Sequence, residues 1–324
     1  MEHQHLFAAP RFRSGVAIAL TDHGIDIDYR SQGCIIETPP QCRDDLWRFV
    51  DCLRDGLSTA ELAASFDALS DAVPTIIQDL DRLGLLEEMP SQPSGEVMSG
   101  DAFFHEVKSF VTRAETRISS SSLYRALRNS SVDKEILIGY VTEYFHLVHE
   151  SPAIIGQALA HRGTPAAYRI LREYFLAECR HDELLFNSLR AVHVDPFRLK
   201  QPSPLSSTFA IISSLAVLAR QDPLSFKSAL FLFERPQPEF HEAFRDCCVS
   251  LELPTEFFEP ILEHAGLNDE GAHEDISRLL LHEVSTVSRE ECTNAKKSLY
   301  FFLECLELLE QELLHYPQHQ QSNS

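Results

Sequence analysis

The stretch Ala167–Asp195, AYRILREYFLAECRHDELLFNSLRAVHVD, decides the fold. Its apolar residues recur at helical spacing, so it predicts a long amphipathic helix over 164–192. Glu178 and His181 fall on that helix three residues apart, about 60° from one another, where both side chains reach toward a common point. A carboxylate and an imidazole at this spacing form the ligand pair of di-iron sites in helical bundles. The same spacing recurs at Glu143-His146 in TEYFHLVHE, where the structural reading is preferred, as it is for His149-Glu150 and His282-Glu283.

Outward from this stretch, similar runs predict helices at about 101–119, 133–160, 205–221, 223–233, 237–251, 254–283 and 287–314. None is a membrane span: Leu205–Leu218, among the most apolar stretches, is broken by Ser and Thr and shorter than the roughly 20 residues a bilayer needs. The tail YPQHQQSNS, 316–324, reads as disordered.

Upstream the period changes. VAIAL (Val16–Leu20), IDIDY (Ile25–Tyr29) and GCIIET (Gly33–Thr38) alternate as strands do, with a turn at Asp22-His23-Gly24. Three helices follow: one carrying Leu46, Phe49, Val50 and Leu53 and ending at Gly56; one opened by Ser58 with Glu61 three residues on; and one from Val73 to Leu86. EEMPSQPSGEVMSG, 87–100, has loop composition. The expected organisation is a winged-helix-like β3α3 domain over 1–90, a linker over 91–100 and an all-α bundle over 101–315, mainly α overall.

Charge narrows the partners. The 324 residues carry 28 Lys+Arg against 49 Asp+Glu, a formal charge of −21, which repels phosphate backbones and anionic headgroups. The third N-terminal helix, where a winged helix would read DNA, has Arg82 against Asp79, Asp81, Glu87 and Glu88. The charge therefore argues against nucleic acid and membrane as partners. Eight cysteines without a C-x-x-C motif, and a start lacking a signal-peptide pattern, fit a reducing cytoplasm.

Two further ligand candidates lie downstream of Glu178 and His181. Glu234 follows the apolar run Ala229–Phe233, and an acid so placed must be neutralised, paired or bound to a metal. Asp269 and His273 are four apart and share a helical face, with His264 as a sixth candidate. On a regular helix His264 and His273 would point about 180° apart, so both reach one centre only through a bulge near Gly266 or Gly271.

These residues support two resemblances. The order Glu178, His181, then Glu234, then His264, Asp269 and His273, together with the run Ala167–Asp195, resembles the heme-oxygenase-like di-iron oxidase and oxygenase superfamily over 105–285. The resemblance implies six metal ligands, two iron ions cycling between Fe(II) and Fe(III), and O2 as co-substrate. The family spaces its last cluster His-x3-Asp-x2-His, whereas here it is His264-x4-Asp269-x3-His273. Val16–Glu88 resembles the PqqD-like family of peptide-recognition domains through Gly24, Leu46/Trp47/Phe49, DGLSTAEL and the series Ile77, Leu80, Leu83, Gly84, Leu85, Leu86. That resemblance implies that Cys34, Ile35, Ile36 and Glu37 pair with a precursor peptide's leader, beside Ile76, Leu80 and Leu83.

Together they imply a tailoring oxidase or oxygenase of a ribosomally made precursor peptide. Three alternatives stay open: a metal-free oxidase of the PqqC-like type on the same fold, a non-catalytic peptide-binding partner in a modifying complex, and a helix-turn-helix regulator. A partner protein or a homodimer is compatible with each enzymatic reading.

Overall fold

The computed structural model describes residues 7, 9–13, 15–29, 32–37, 39, 42–66, 69–89, 97–118, 122–161, 163–194, 204–235, 237–269 and 276–316. The chain divides into two compact units, Met1–Ser94 and Gly95–Ser324.

In the first unit, β1 (Pro10–Phe12) is followed by an antiparallel meander of β2 (Ala17–Leu20), β3 (Gly24–Tyr29) and β4 (Gln32–Glu37). Ile25 pairs with both Leu20 and Ile36, and Ile27 with both Ile18 and Cys34, which turns the two β3 isoleucines into the core. Gly24 is required where it stands: at φ 155°, a Cβ there would lie 2.1 Å from the Ile36 carbonyl oxygen.

Helices α1 (Arg43–Asp55), α2 (Thr59–Ser65) and α3 (Val73–Arg82) follow. Gly56, with φ 73°, stops α1, and Ser58 and Glu61 close a reciprocal capping box that starts α2. The third helix ends earlier than its apolar pattern predicts. Gly84 adopts a left-handed φ of 69°, and Leu86–Glu88 becomes β5, which pairs with β1.

The second unit begins with β6 (Val97–Met98), inside the segment expected to be linker. Gly100, the last residue of that segment, already opens the next helix, and residues 91–96 of it lie outside the described residues. The bundle then runs through α4 (Gly100–Ile118), α5 (Ser122–Arg128), α6 (Lys134–Leu159), α7 (Pro165–Glu178) and α8 (Asp182–Ala191). It continues with α9 (Ser206–Gln221), α10 (Pro223–Phe233), α11 (Pro238–Ser250), α12 (Thr255–Asp269), α13 (Ile276–His282), β7 (Val287–Ser288) and α14 (Arg289–Leu314). β6 and β7 pair antiparallel. Among the described residues no helix is long and apolar enough to cross a membrane, and no disulfide joins the eight cysteines.

Three expectations need correction. The helix expected over 164–192 is two, α7 and α8, because Cys179 leaves helical geometry at ψ 122° and Arg180 turns left-handed at φ 79°. The helix expected over 254–283 is also two, α12 and α13. The C-terminal tail was expected to be disordered from 316, yet Tyr316 is buried with its ring against Gly139 of α6. The remainder of the tail lies outside the described residues.

The bundle core packs Ile154, Ile155 and Ala158 of α6 against Leu171 and Tyr174 of α7, Phe226 and Leu230 of α10, and Leu280 of α13. α6 also packs along α9 and α8, and α8 along α12. Burial of these aliphatic and aromatic side chains stabilises the bundle by roughly 1.5–3 kcal/mol for each one fully enclosed. α6 and α7 carry the residues that meet α12 in the site described next.

Candidate metal centre

α7 starts on Thr164, whose hydroxyl accepts from the Ala167 N–H at 3.0 Å, with Pro165 at the first helical position. It ends at Glu178. The backbone then folds back: the His181 N–H donates to the Glu178 carbonyl and the Glu183 N–H to the Arg180 carbonyl. The Arg180 guanidinium holds the Glu183 carboxylate through two 2.8 Å hydrogen bonds, a forked contact that fixes this turn on the outside. Glu178 and His181 thus meet across a helix break, where regular helical spacing had been expected to align them. His181 Nδ1 lies 3.4 Å from Glu178 Oε1.

The third member comes from α12. His264 is buried, 5% exposed, and its ring stands edge-on to that of His181 with centroids 5.1 Å apart. One ligand atom from each of Glu178, His181 and His264 lies within 4.8 Å of the others. One carboxylate and two imidazoles drawn together in this way is the donor set of non-heme Fe(II) sites with open positions, so the residues present fit such an ion.

A second layer surrounds the three. The Tyr144 hydroxyl, from α6, shares a 2.8 Å hydrogen bond with His264 Nδ1. Tyr174, one turn before Glu178 in α7, donates to Glu234 Oε1. Burial, then the neighbouring Tyr140 and the carboxylates of Glu234 and Glu178, push the Tyr144 hydroxyl well above its ordinary pKa; burial and then the same carboxylates do so for Tyr174. Both therefore stay neutral. Glu234 is the C-cap of α10, half-buried, its N–H bonded back to the Leu230 carbonyl at 2.9 Å.

These groups form the polar end of a cavity of about 100 Å³. Glu178, Glu234, His264, Tyr144 and Tyr174 stand at one end; α6 contributes Val148, Ile154 and Ile155, α9 contributes Ile212 and Leu215, and α10 contributes Phe226, Leu230 and Phe233.

Of the six residues proposed as ligands from sequence, the structure brings Glu178, His181 and His264 together and places Glu234 on the cavity that Glu178 and His264 line. α12 runs unbroken through Gly266, so no bulge occurs there. The Asp269 side chain and His273 lie outside the described residues. Tyr144 and Tyr174 were not singled out from sequence; the signal available was a tyrosine four residues before Glu178.

The other Glu-x2-His pair does something else. Glu143 is 3% exposed and accepts from the Leu205 N–H at 3.0 Å, closing the start of α9. Burial raises its pKa, the polar groups of Thr208 and Leu205 oppose the rise, and Glu312 beside it adds to it. His149 binds Asp182 at 2.7 Å and His282 binds Asp101 at 2.8 Å, both near the surface.

In the first unit, β4 pairs with β3 on one side and has no strand partner on the other among the described residues. Ile35 is 59% exposed on it, Cys34 and Ile36 are half-buried, and Glu37 is exposed. Leu80 is packed into the unit's core, while Ile76 is half-buried and Leu83 exposed.

Comparison with solved structures identifies the class of fold. A domain of unknown function with a heme oxygenase-like fold from Shewanella denitrificans superposes with a TM-score of 0.57 at 14% identity, covering 70% of this chain and 97% of that one. A TenA homolog from Pseudomonas syringae pathovar tomato gives 0.55 at 14% identity, covering 70% of this chain and all of that one. The chain thus has a heme-oxygenase-like, TenA-like helical fold, and at this identity the likeness is one of fold. No protein-family model and no curated protein matches the chain.

Proposed function

We propose that the helical unit is a metal-dependent oxidase or oxygenase, and that the chain tailors a ribosomally made precursor peptide held by its leader on β4. The observation that carries this reading is the convergence of Glu178, His181 and His264, of which Glu178 and His264 line a largely apolar cavity. These three would hold one iron ion; the second ion that the resemblance implies would draw on Glu234, Asp269 and His273. Iron held this way supplies O2-dependent oxidation. The chain's own part is to orient and to exclude water. Tyr144 fixes the His264 ring, Tyr174 sets the Glu234 carboxylate, and the aliphatic walls keep the site dry.

In the first unit, the exposed edge of β4 offers backbone donors and acceptors to an added strand, with Ile35 as an apolar contact. Joining both units in one chain raises the effective concentration of the core region near the cavity.

The test is anaerobic loading of the full chain with Fe(II), followed by iron analysis and O2 uptake with a candidate precursor peptide. Iron binding that Glu178→Ala or His264→Ala abolishes is expected. A chain that takes up no iron, or takes it up equally well in both variants, overturns the reading.

A further inference from the structure

The chemistry of the cavity walls selects what can stand against the polar end. About 100 Å³ is open there. A cavity of about 150 Å³ admits benzene, with six carbons, so this one admits a group of about four heavy atoms. Ile154, Ile155, Ile212, Leu215, Phe226 and Leu230 offer it dispersion contacts and no hydrogen bonds. The polar end holds two carboxylates, Glu178 and Glu234, and among the described residues lining the cavity there is no Lys or Arg. A substrate carboxylate or phosphate would lose its water there with no Lys or Arg to take its place.

We infer that the cavity takes the uncharged aliphatic side chain of a leucine, isoleucine or methionine residue within a peptide, and rejects free carboxylates, phosphates and aromatic rings. This rests on the reading above in one respect, that the reactive group of the substrate points to the Glu178–His264 end. A residue within a peptide satisfies the requirement because its carboxyl and amino groups are tied up in amides, whereas a free amino acid or a fatty acid brings an anion of its own.

Three probes separate the possibilities: 4-methylpentanamide, 4-methylpentanoate and 3-phenylpropanamide, titrated by ligand-observed NMR into the full chain. A chelator is present so that no carboxylate gains by ligating an ion. The branched amide is expected to bind at least tenfold more tightly than either of the others. Equal or tighter binding of the carboxylate or the phenyl compound, or no binding of the branched amide, overturns the inference. Ile212→Phe, which fills the cavity from a half-buried position on α9, should remove binding while leaving the melting temperature close to wild type. If that variant melts far below wild type, Leu215→Phe provides the same test from the same helix. A folded filled variant that still binds the amide places the probe elsewhere and also overturns the inference. Iron uptake is measured on separate aliquots of the same preparations: its failure with the selectivity intact sinks the metal centre alone, and a reversed selectivity with normal iron uptake sinks this inference alone.

Discussion

Glu143-His146 and Glu178-His181 have the same spacing in sequence and opposite fates in the fold. The first pair lies within the unbroken α6, where Glu143 turns inward to close the start of α9 and His146 stays half-buried beside His149. The second lies across the break between α7 and α8, and there both side chains meet His264. Identical motifs are therefore separated by backbone geometry and by what a third element brings to them. A carboxylate on a regular helix interior finds a backbone N–H; one at a helix end is held where side chains from other helices converge.

The sharpest way to break this comparison is to remove one carboxylate at a time. Glu178→Ala should weaken Fe(II) or Co(II) binding more than about 100-fold in a chelator competition, beyond the 10–100-fold typical of losing a supporting group. Glu143→Ala should leave metal affinity unchanged and instead lower stability in urea by about 1–3 kcal/mol, because the Leu205 N–H loses its acceptor. Equal effects on metal binding would erase the distinction.

Next in size, Tyr144→Phe removes the hydroxyl that meets His264 Nδ1 and should reduce metal affinity by roughly 10–100-fold with the fold intact by circular dichroism.

How much of this was legible in sequence depends on where the information resides. α10 was read at its observed bounds because Asp222, Pro223 and a continuous apolar run mark it locally, and the Ser58–Glu61 box announced α2 in the same way. Glu178 and His181 stood out by their three-residue spacing, and Glu234 as an acid at the end of an apolar run. The break at Cys179–His181 was not legible, since AECRHDE contains neither Gly nor Pro and reads as good helix. A left-handed Arg180 is set by packing and by its fork to Glu183. The place of His264 depends on α12 lying along α8, a contact between segments about eighty residues apart in the chain that no local pattern encodes.

A smaller test concerns pH. Burial raises the folded pKa of Glu143 above its ordinary value of 4.5, so the protonated acid is the form the fold favours. The stability this contributes is present below that ordinary value and is lost as pH rises through the raised one. Glu143→Gln, which stays neutral, should therefore gain on wild type as denaturation is repeated at pH values from 4.5 upward. A difference that is flat with pH would show that Glu143 titrates as if exposed.

The smallest effect is expected at Arg180. Arg180→Gly suits a φ of 79° but frees the unfolded chain and gives up an exposed ion pair, so stability should change by no more than about 0.5 kcal/mol. Arg180→Val should cost about 1–2 kcal/mol, because a β-branched residue resists that conformation. Thermal melts of the two variants separate a requirement on backbone shape from one on charge.

Gly139 and Tyr316 bear on how far this chain can drift in sequence or be shortened. A Cβ at Gly139 would sit 2.6 Å from the Tyr316 ring, so α6 keeps a glycine in its interior at a helix-propensity cost of about 1 kcal/mol relative to alanine. The ring seals α6 one turn before Glu143 and five residues before Tyr144. Position 139 thus tolerates one residue type, and a protein trimmed before Tyr316 would open a hole on the helix that steadies the metal site. Such trimming would be felt at the site through loosened packing of α6, with every residue of the centre still present.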